Sequence, residues 1–151
     1  MKKFLYAVFM WFIRLTWGII DTLVGFLCFL VFIWLKPEIH MIANTIVVQI
    51  PYKEGHGGWG FACGLFIFSN HPQIWDKFLF FQHEFGHSWP QLLLMGPLHP
   101  FLVSIPSVIR FWYRNITKNF LKPYDAAWFE GTATSWGAKW YKYGLDHGLW
   151  S

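Results

Sequence analysis

Residues 78–91, FLFFQHEFGHSWPQ, set two histidines and a glutamate (His83, Glu84 and His87) in a run that is otherwise largely aromatic and apolar. Ionisable groups are costly in such a setting unless something holds them. Apolar residues Ile74, Phe78, Phe81, Phe85 and Trp89 recur every three or four positions, which is a helical period. On a helix, residues four apart lie one above the other. His83 and His87 therefore present two imidazoles on one face, with Glu84 one position along. This HExxH spacing suits two imidazoles gripping one zinc ion while the neighbouring carboxylate takes a proton from a water. The chain must build a helix here and bring a third ligand to it from elsewhere.

The rest of the sequence narrows where that ligand comes from. A metzincin would carry a third histidine six residues after His87, but that position is Leu93. Between Ser88 and Tyr124 there is no acidic residue, and the one histidine is His99. Downstream stand Asp125, Glu130, Asp146 and His147. Glu130 sits among Trp128, Phe129 and Trp136, where a carboxylate calls for a partner. The small residues Ala133 and Gly137 would let its helix approach the HExxH helix closely. His99, between prolines in GPLHP, is the reserve ligand, or a hydrogen-bond donor to substrate. Tyr113, Tyr124 and Arg110 are candidate oxyanion donors that spacing does not separate.

HEFGH on one helix, followed by an E-x-x-A segment on a later one, resembles the gluzincin-type membrane metallopeptidases related to HtpX and the CAAX prenyl protease. The likeness covers roughly the last half of the chain. It implies a zincin-like domain with His83, His87 and Glu130 as zinc ligands, Glu84 as the base, and peptides or proteins as substrates. Those proteins carry an acid four residues after the ligand glutamate, and Thr134 stands there instead.

Composition places the chain at a membrane. Charged residues are 13%, about half the ~25% of an ordinary soluble domain. Hydrophobic residues reach 55%, with 17 Phe and 11 Trp, so polar surface is scarce. The net charge of +4 comes from scattered basic residues that suit anionic headgroups, and no nucleic-acid-binding motif accompanies them. Cys28 and Cys63 form neither a CxxC pair nor a disulfide framework.

Residues 15–35 hold a single ionisable group, Asp21. As one helix they would be about 31 Å long, close to the ~30 Å hydrocarbon core. Asp21 is expected to reach the interface, and Lys2, Lys3 and Arg14 favour a cytoplasmic N-terminal side. Arg14 interrupts the apolar run and no small-residue cleavage site follows, so the segment reads as a retained anchor. Residues 41–50 and 61–69 read as two strands of an antiparallel pair, with a glycine loop carrying His56 between them. The second strand precedes the HExxH helix, as a substrate-pairing edge strand does. Pro90 is expected to kink or end the helix soon after His87. Residues 92–109 are apolar but broken by Gly96, Pro97, Pro100 and Pro106, which suits a bent or re-entrant segment. A last helix spans residues 124–143, with Asp125 at its start and Glu130 near its middle.

The expected architecture is thus α+β. Residues 1–36 form an N-terminal membrane helix. Residues 37–151 form a zincin-like metallopeptidase domain with a small antiparallel sheet, the HExxH helix and a C-terminal helix supplying the third ligand. Rival readings are a zinc clip without catalysis, a site-2-type intramembrane protease, and a metal-free membrane adaptor. The site-2 class needs a downstream aspartate in a membrane helix, and residues 92–109 hold none.

Overall fold

A computed structural model describes residues 1–53, 58–71, 78–118 and 123–150. The chain is α+β. Helices α1 (Lys2–Thr16) and α2 (Ile19–Phe32) are followed by strands β1 (Glu38–Ile42), β2 (Thr45–Gln49), β3 (Gly60–Cys63) and β4 (Phe66–Ser69). Helix α3 (Phe78–Gly86) carries the HExxH motif and passes through a π-helical turn, His87–Gln91, into α4 (Leu92–Met95). Helices α5 (Ile105–Thr117) and α6 (Trp128–Asp146) complete the described fold.

Each of the two expected strands is a hairpin. In the first, Ile42 pairs with Thr45, and the two residues between them, Ala43 and Asn44, have φ of 46° and 58°. Two consecutive positive φ values make a type I′ turn, whose twist matches that of the flanking strands. In the second, Cys63 pairs with Phe66 around Gly64, at φ 56°. The sheet order is β1-β2-β4-β3, and β2 pairs with β4 in parallel. The sheet is therefore mixed, not antiparallel: the antiparallel pairings lie inside each run, and the contact between the runs is parallel.

Continuous apolar runs are what a strand needs when both its faces are covered. Val47, Ala62 and Ile67 face a core built with Phe81, Phe85, Trp89, Tyr141 and Trp150. Val48, Phe66 and Phe68 face the other way, against Phe29, Phe32, Trp59 and Phe61. The sheet is a middle layer, with α2 on one face and α3 and α6 on the other.

The expected single helix over residues 15–35 is broken at Trp17 and Gly18. The pair Lys2–Thr16 and Ile19–Leu35 bends by 89°, and Phe80–Leu98 with Pro100–Thr117 bends by 110°. Among the described residues no single helix is long and apolar enough to cross a membrane, while the two bent pairs qualify together by length and composition. Asp21 does not reach outward. It is buried, with Oδ2 2.8 Å from His99 Nδ1 and Oδ1 accepting from Ser104 Oγ at 2.9 Å. Arg14 is also fully buried. It donates to Ser88 O and Oγ, Asn44 O and Thr45 Oγ1, and stacks on the Trp89 ring. Both charges in this apolar segment thus bond to the rest of the fold.

The regular HExxH helix stops at Gly86, the irregularity expected around Pro90, but the chain stays helical beyond it. A π-helical turn takes up Pro90, since the wider turn relieves the clash with the preceding carbonyl. Helix α6 begins later than expected, at Trp128, after an isolated turn Tyr124–Ala126 that holds Asp125. Glu130 consequently lies in the first turn of α6 rather than at its middle.

Helices α3 and α6 approach through small residues, as the sequence suggests. A Cβ on Gly137 would stand 1.8 Å from Gln82 O, and one on Gly86 2.0 Å from Ala133 O. Backbone occupies both spaces, so neither glycine tolerates a side chain without moving a helix. Gly137→Ala is expected to lower stability by about 1–3 kcal/mol through overpacking, and to weaken metal binding by displacing α6. A variant that melts like the wild type and keeps its metal affinity would show that this contact does not set the site.

Candidate metal centre

Three side chains from two helices meet at one point. His83 Nε2 lies 3.1 Å from Glu130 Oε2, and His87 Nε2 lies 3.2 Å from the same oxygen. The ligand atoms of the three residues all fall within 4.8 Å of one another. Glu130 and His87 are buried, and His83 is partly so. His99, the reserve ligand, is not among them: Asp21 engages it elsewhere. His56 lies outside the described residues.

The hydrogen bonds on the far side of each ring decide what its Nε2 can be. His87 Nδ1 is 2.7 Å from Gln91 Oε1, an acceptor, so Nδ1 carries the proton. Gln91 is held in that orientation because its Nε2 donates to Phe129 O and Thr132 Oγ1. His83 Nδ1 is 2.9 Å from Thr134 Oγ1, whose own proton goes to Glu130 O at 3.1 Å. That ring too donates through Nδ1. Both Nε2 atoms then offer lone pairs, and both point at a carboxylate oxygen. With both rings neutral, three acceptors converge without a donor between them, an arrangement that could hold a metal ion. The fit is of donor type as well as distance.

A proton on His83 beside ionised Glu130 is favoured by the acids around it. Burial works against a charged His83, but the hydrogen bond with Glu130 and the fields of Glu84 and Glu130 outweigh it and raise its pKa. Burial likewise pushes against ionised Glu130, and the hydrogen bonds with His83 and His87 override it, holding the group well below the carboxylate range. The second carboxylate oxygen of Glu130 accepts from Ser107 Oγ at 2.5 Å.

Glu84 is buried beside the cluster and makes no ligand contact in it. It lines a cleft with Gly60, Cys63, His83, His87, Ser107 and Tyr124. Burial raises its pKa, the field of Glu130 adds to this, and the neighbouring histidines oppose it. A carboxylate tuned upward is a better proton acceptor near neutral pH. Edge strand β3 forms one wall of the cleft and α5 another.

Of the three oxyanion candidates, the structure brings Tyr124 to the cleft. Its hydroxyl is 3.4 Å from Ser107 Oγ, and its ring packs 6.2 Å from that of His83. Burial raises its pKa, and the field of Glu130 adds to that, so it stays a donor. Arg110 instead serves as a brace, donating to Tyr124 O and Pro123 O and stacking on the Tyr124 ring. Tyr113 is exposed.

Sequence reasoning singles out His83, Glu84, His87 and Glu130 but passes over Gln91 and Ser107. Gln91 follows His87 by one helical turn, so an i,i+4 search for a polar partner would have found it. Ser107 meets Glu130 only through the 110° bend; the glycine and prolines of residues 92–109 signal a bend there but not its angle or the partner it brings. Compared with protein-family models, with curated proteins and with solved structures, the chain matches none.

Thr134→Val keeps the shape of the side chain but removes the acceptor for His83 Nδ1–H. Affinity for zinc, read by calorimetric titration, is expected to drop about 10–100-fold. Unchanged affinity would mean that Thr134 does not orient His83.

Proposed function

We propose that this protein is a membrane-associated zinc metallopeptidase of the gluzincin type, with His83, His87 and Glu130 as ligands and Glu84 as general base. The observation that carries the reading is the convergence of two fixed Nε2 lone pairs and a buried carboxylate oxygen beside a second carboxylate that is free of the cluster. A zinc ion held there would supply a Lewis acid for the scissile carbonyl and acidify a water.

The chain's own residues account for the remaining steps. Glu84 accepts the proton of the attacking water and returns it to the amine nitrogen as the C–N bond breaks. Tyr124 donates a hydrogen bond to the oxygen that gains charge. Gln91 and Thr134 keep both imidazoles in the tautomer that faces the cleft, and Ser107 holds the far oxygen of Glu130. Edge strand β3 runs along the cleft with one side unpaired among the described residues, which suits an extended peptide added as a further strand. Exposed apolar side chains concentrated on α1, α2 and α5 support the membrane association.

The test is hydrolysis of an unfolded protein substrate by metal-loaded wild type, Glu84→Gln and Glu130→Ala. Glu84→Gln is expected to keep about one zinc per chain and lose roughly 10²–10⁴-fold in kcat. Glu130→Ala is expected to lose the metal as well. Wild-type hydrolysis that survives in Glu84→Gln would refute the assigned base, and a zinc-loaded wild type inert towards peptides would refute the peptidase reading.

A further inference from the structure

Helix α5 is inside out. Its polar residues Ser107, Arg110 and Arg114 turn inward, to Glu130 and Tyr124. Its apolar residues Ile105, Ile109, Trp112 and Ile116 turn outward, and Ile116 is 75% exposed. The N-terminal pair shows the same inversion. Met10 and Arg14 are the buried residues of α1, and Asp21, Thr22 and Gly25 those of α2. Phe4, Phe12, Leu23, Leu27 and Val31 are exposed. Helices α1 and α2 bury a charge each, α5 keeps its arginines half-buried, and all three expose hydrocarbon, a surface that suits a solvent other than water.

The two bends lie together. A Cβ on Gly96, at the second bend, would stand 2.1 Å from the Trp17 ring at the first. One on Gly18 would meet the side chain of Leu92 at 2.6 Å. The Asp21–His99 contact, with Ser104 on the other carboxylate oxygen, latches the two bends and partners both oxygens of Asp21 inside the protein. At the apex Leu94, Leu98, Phe101 and Leu102 are exposed. Basic residues stand at the far ends of the arms: Lys2 and Lys3 at the start of α1, Lys36 after residue 35, and Lys118 after α5. Trp34, 85% exposed, accompanies Lys36 as tryptophan does at a headgroup boundary.

Arm length limits how deep such a body goes. At 1.5 Å per residue the arms Lys2–Thr16 and Ile19–Leu35 are about 22 and 25 Å long, and a symmetric V bent by 89° is only about 16–18 Å deep. The arm Pro100–Thr117 reaches about 22 Å at half its pair's angle, against a hydrocarbon core of ~30 Å.

We propose that the two bent pairs enter a bilayer apex first and from one side. The occupant of the apolar surface is lipid with anionic headgroups, which meet the lysines at the ends of the arms, and no helix crosses. Helix α5 then has lipid on one face and the metal centre on the other. The inference concerns seating alone and holds whether or not the cleft hydrolyses peptides.

Sided labelling tests it on the full chain expressed in bacteria. Lys3→Cys, Glu38→Cys and Thr117→Cys, each with Cys28 and Cys63 replaced by alanine, are exposed to a membrane-impermeant maleimide in sealed vesicles of known orientation. All three are expected to label from the same face. Labelling of Glu38→Cys from the face opposite to Lys3→Cys would mean that the N-terminal pair spans, and would overturn the proposal. Flotation of purified protein with vesicles of phosphatidylcholine and phosphatidylglycerol reads the apex directly. Leu98→Glu combined with Phe101→Glu alters exposed side chains only, so its melting temperature should hold while vesicle binding falls at least about tenfold. Leu145→Glu, on α6, should bind as the wild type does. Unchanged binding of the apex variant, or a wild type that stays in the aqueous phase as an oligomer covering its own apolar faces, would also overturn it.

Discussion

In the neutral rings two imidazole lone pairs face one carboxylate oxygen, 3.1 and 3.2 Å from it, with no donor between them. That conflict organises the molecule. It exists only because Gln91 and Thr134 occupy the outer nitrogens of His87 and His83 as acceptors. It stays close only because Gly86 and Gly137 let α3 and α6 touch backbone to backbone. Thr134 thereby fixes the tautomer of His83 from behind. A hydroxyl suffices because it passes its own proton to Glu130 O and is left as an acceptor.

The same centre explains why polar residues point inward in apolar helices. Arg14 grips Ser88, the residue next to His87, and Ser88 Oγ in turn donates to Gly64 O in the β3–β4 turn. Helix α5 gives Ser107 to the ligand carboxylate and Arg110 to the backbone around Tyr124. Each apolar segment spends its few polar groups on holding the cleft. What remains on the outside is hydrocarbon, so the packing that builds the site also creates the surface that lipid is proposed to cover. The N-terminal segment is on this account more than a tether, because its one buried cation contacts the end of the HExxH helix.

The site was more legible in the sequence than the fold around it. HExxH fixes three residues by helical geometry alone, and the scarcity of acids points to Glu130. Short range governs what was missed. Ala43 and Asn44 are an unadvertised type I′ turn inside a β-branched run, so two hairpins read as two strands and the parallel β2–β4 pairing was hidden. Trp17 and Gly18 break an apolar run that hydropathy treats as continuous. Pro90 was expected to kink or end the helix after His87, and the regular α-helix does stop at Gly86; only the form of the break, a π-helical turn leading on into α4, was not foreseen. Asp21 was expected at an interface, since its partner His99 is 78 residues away and joined to it only by the fold.

X-ray absorption at the zinc edge, on protein purified in detergent and supplied with zinc, interrogates the centre most directly. The account predicts about one zinc per chain, with two imidazole nitrogens at about 2.0–2.1 Å and a carboxylate oxygen at about 2.0–2.2 Å. A folded protein that takes up no zinc, or binds it in a shell without imidazole, would contradict it.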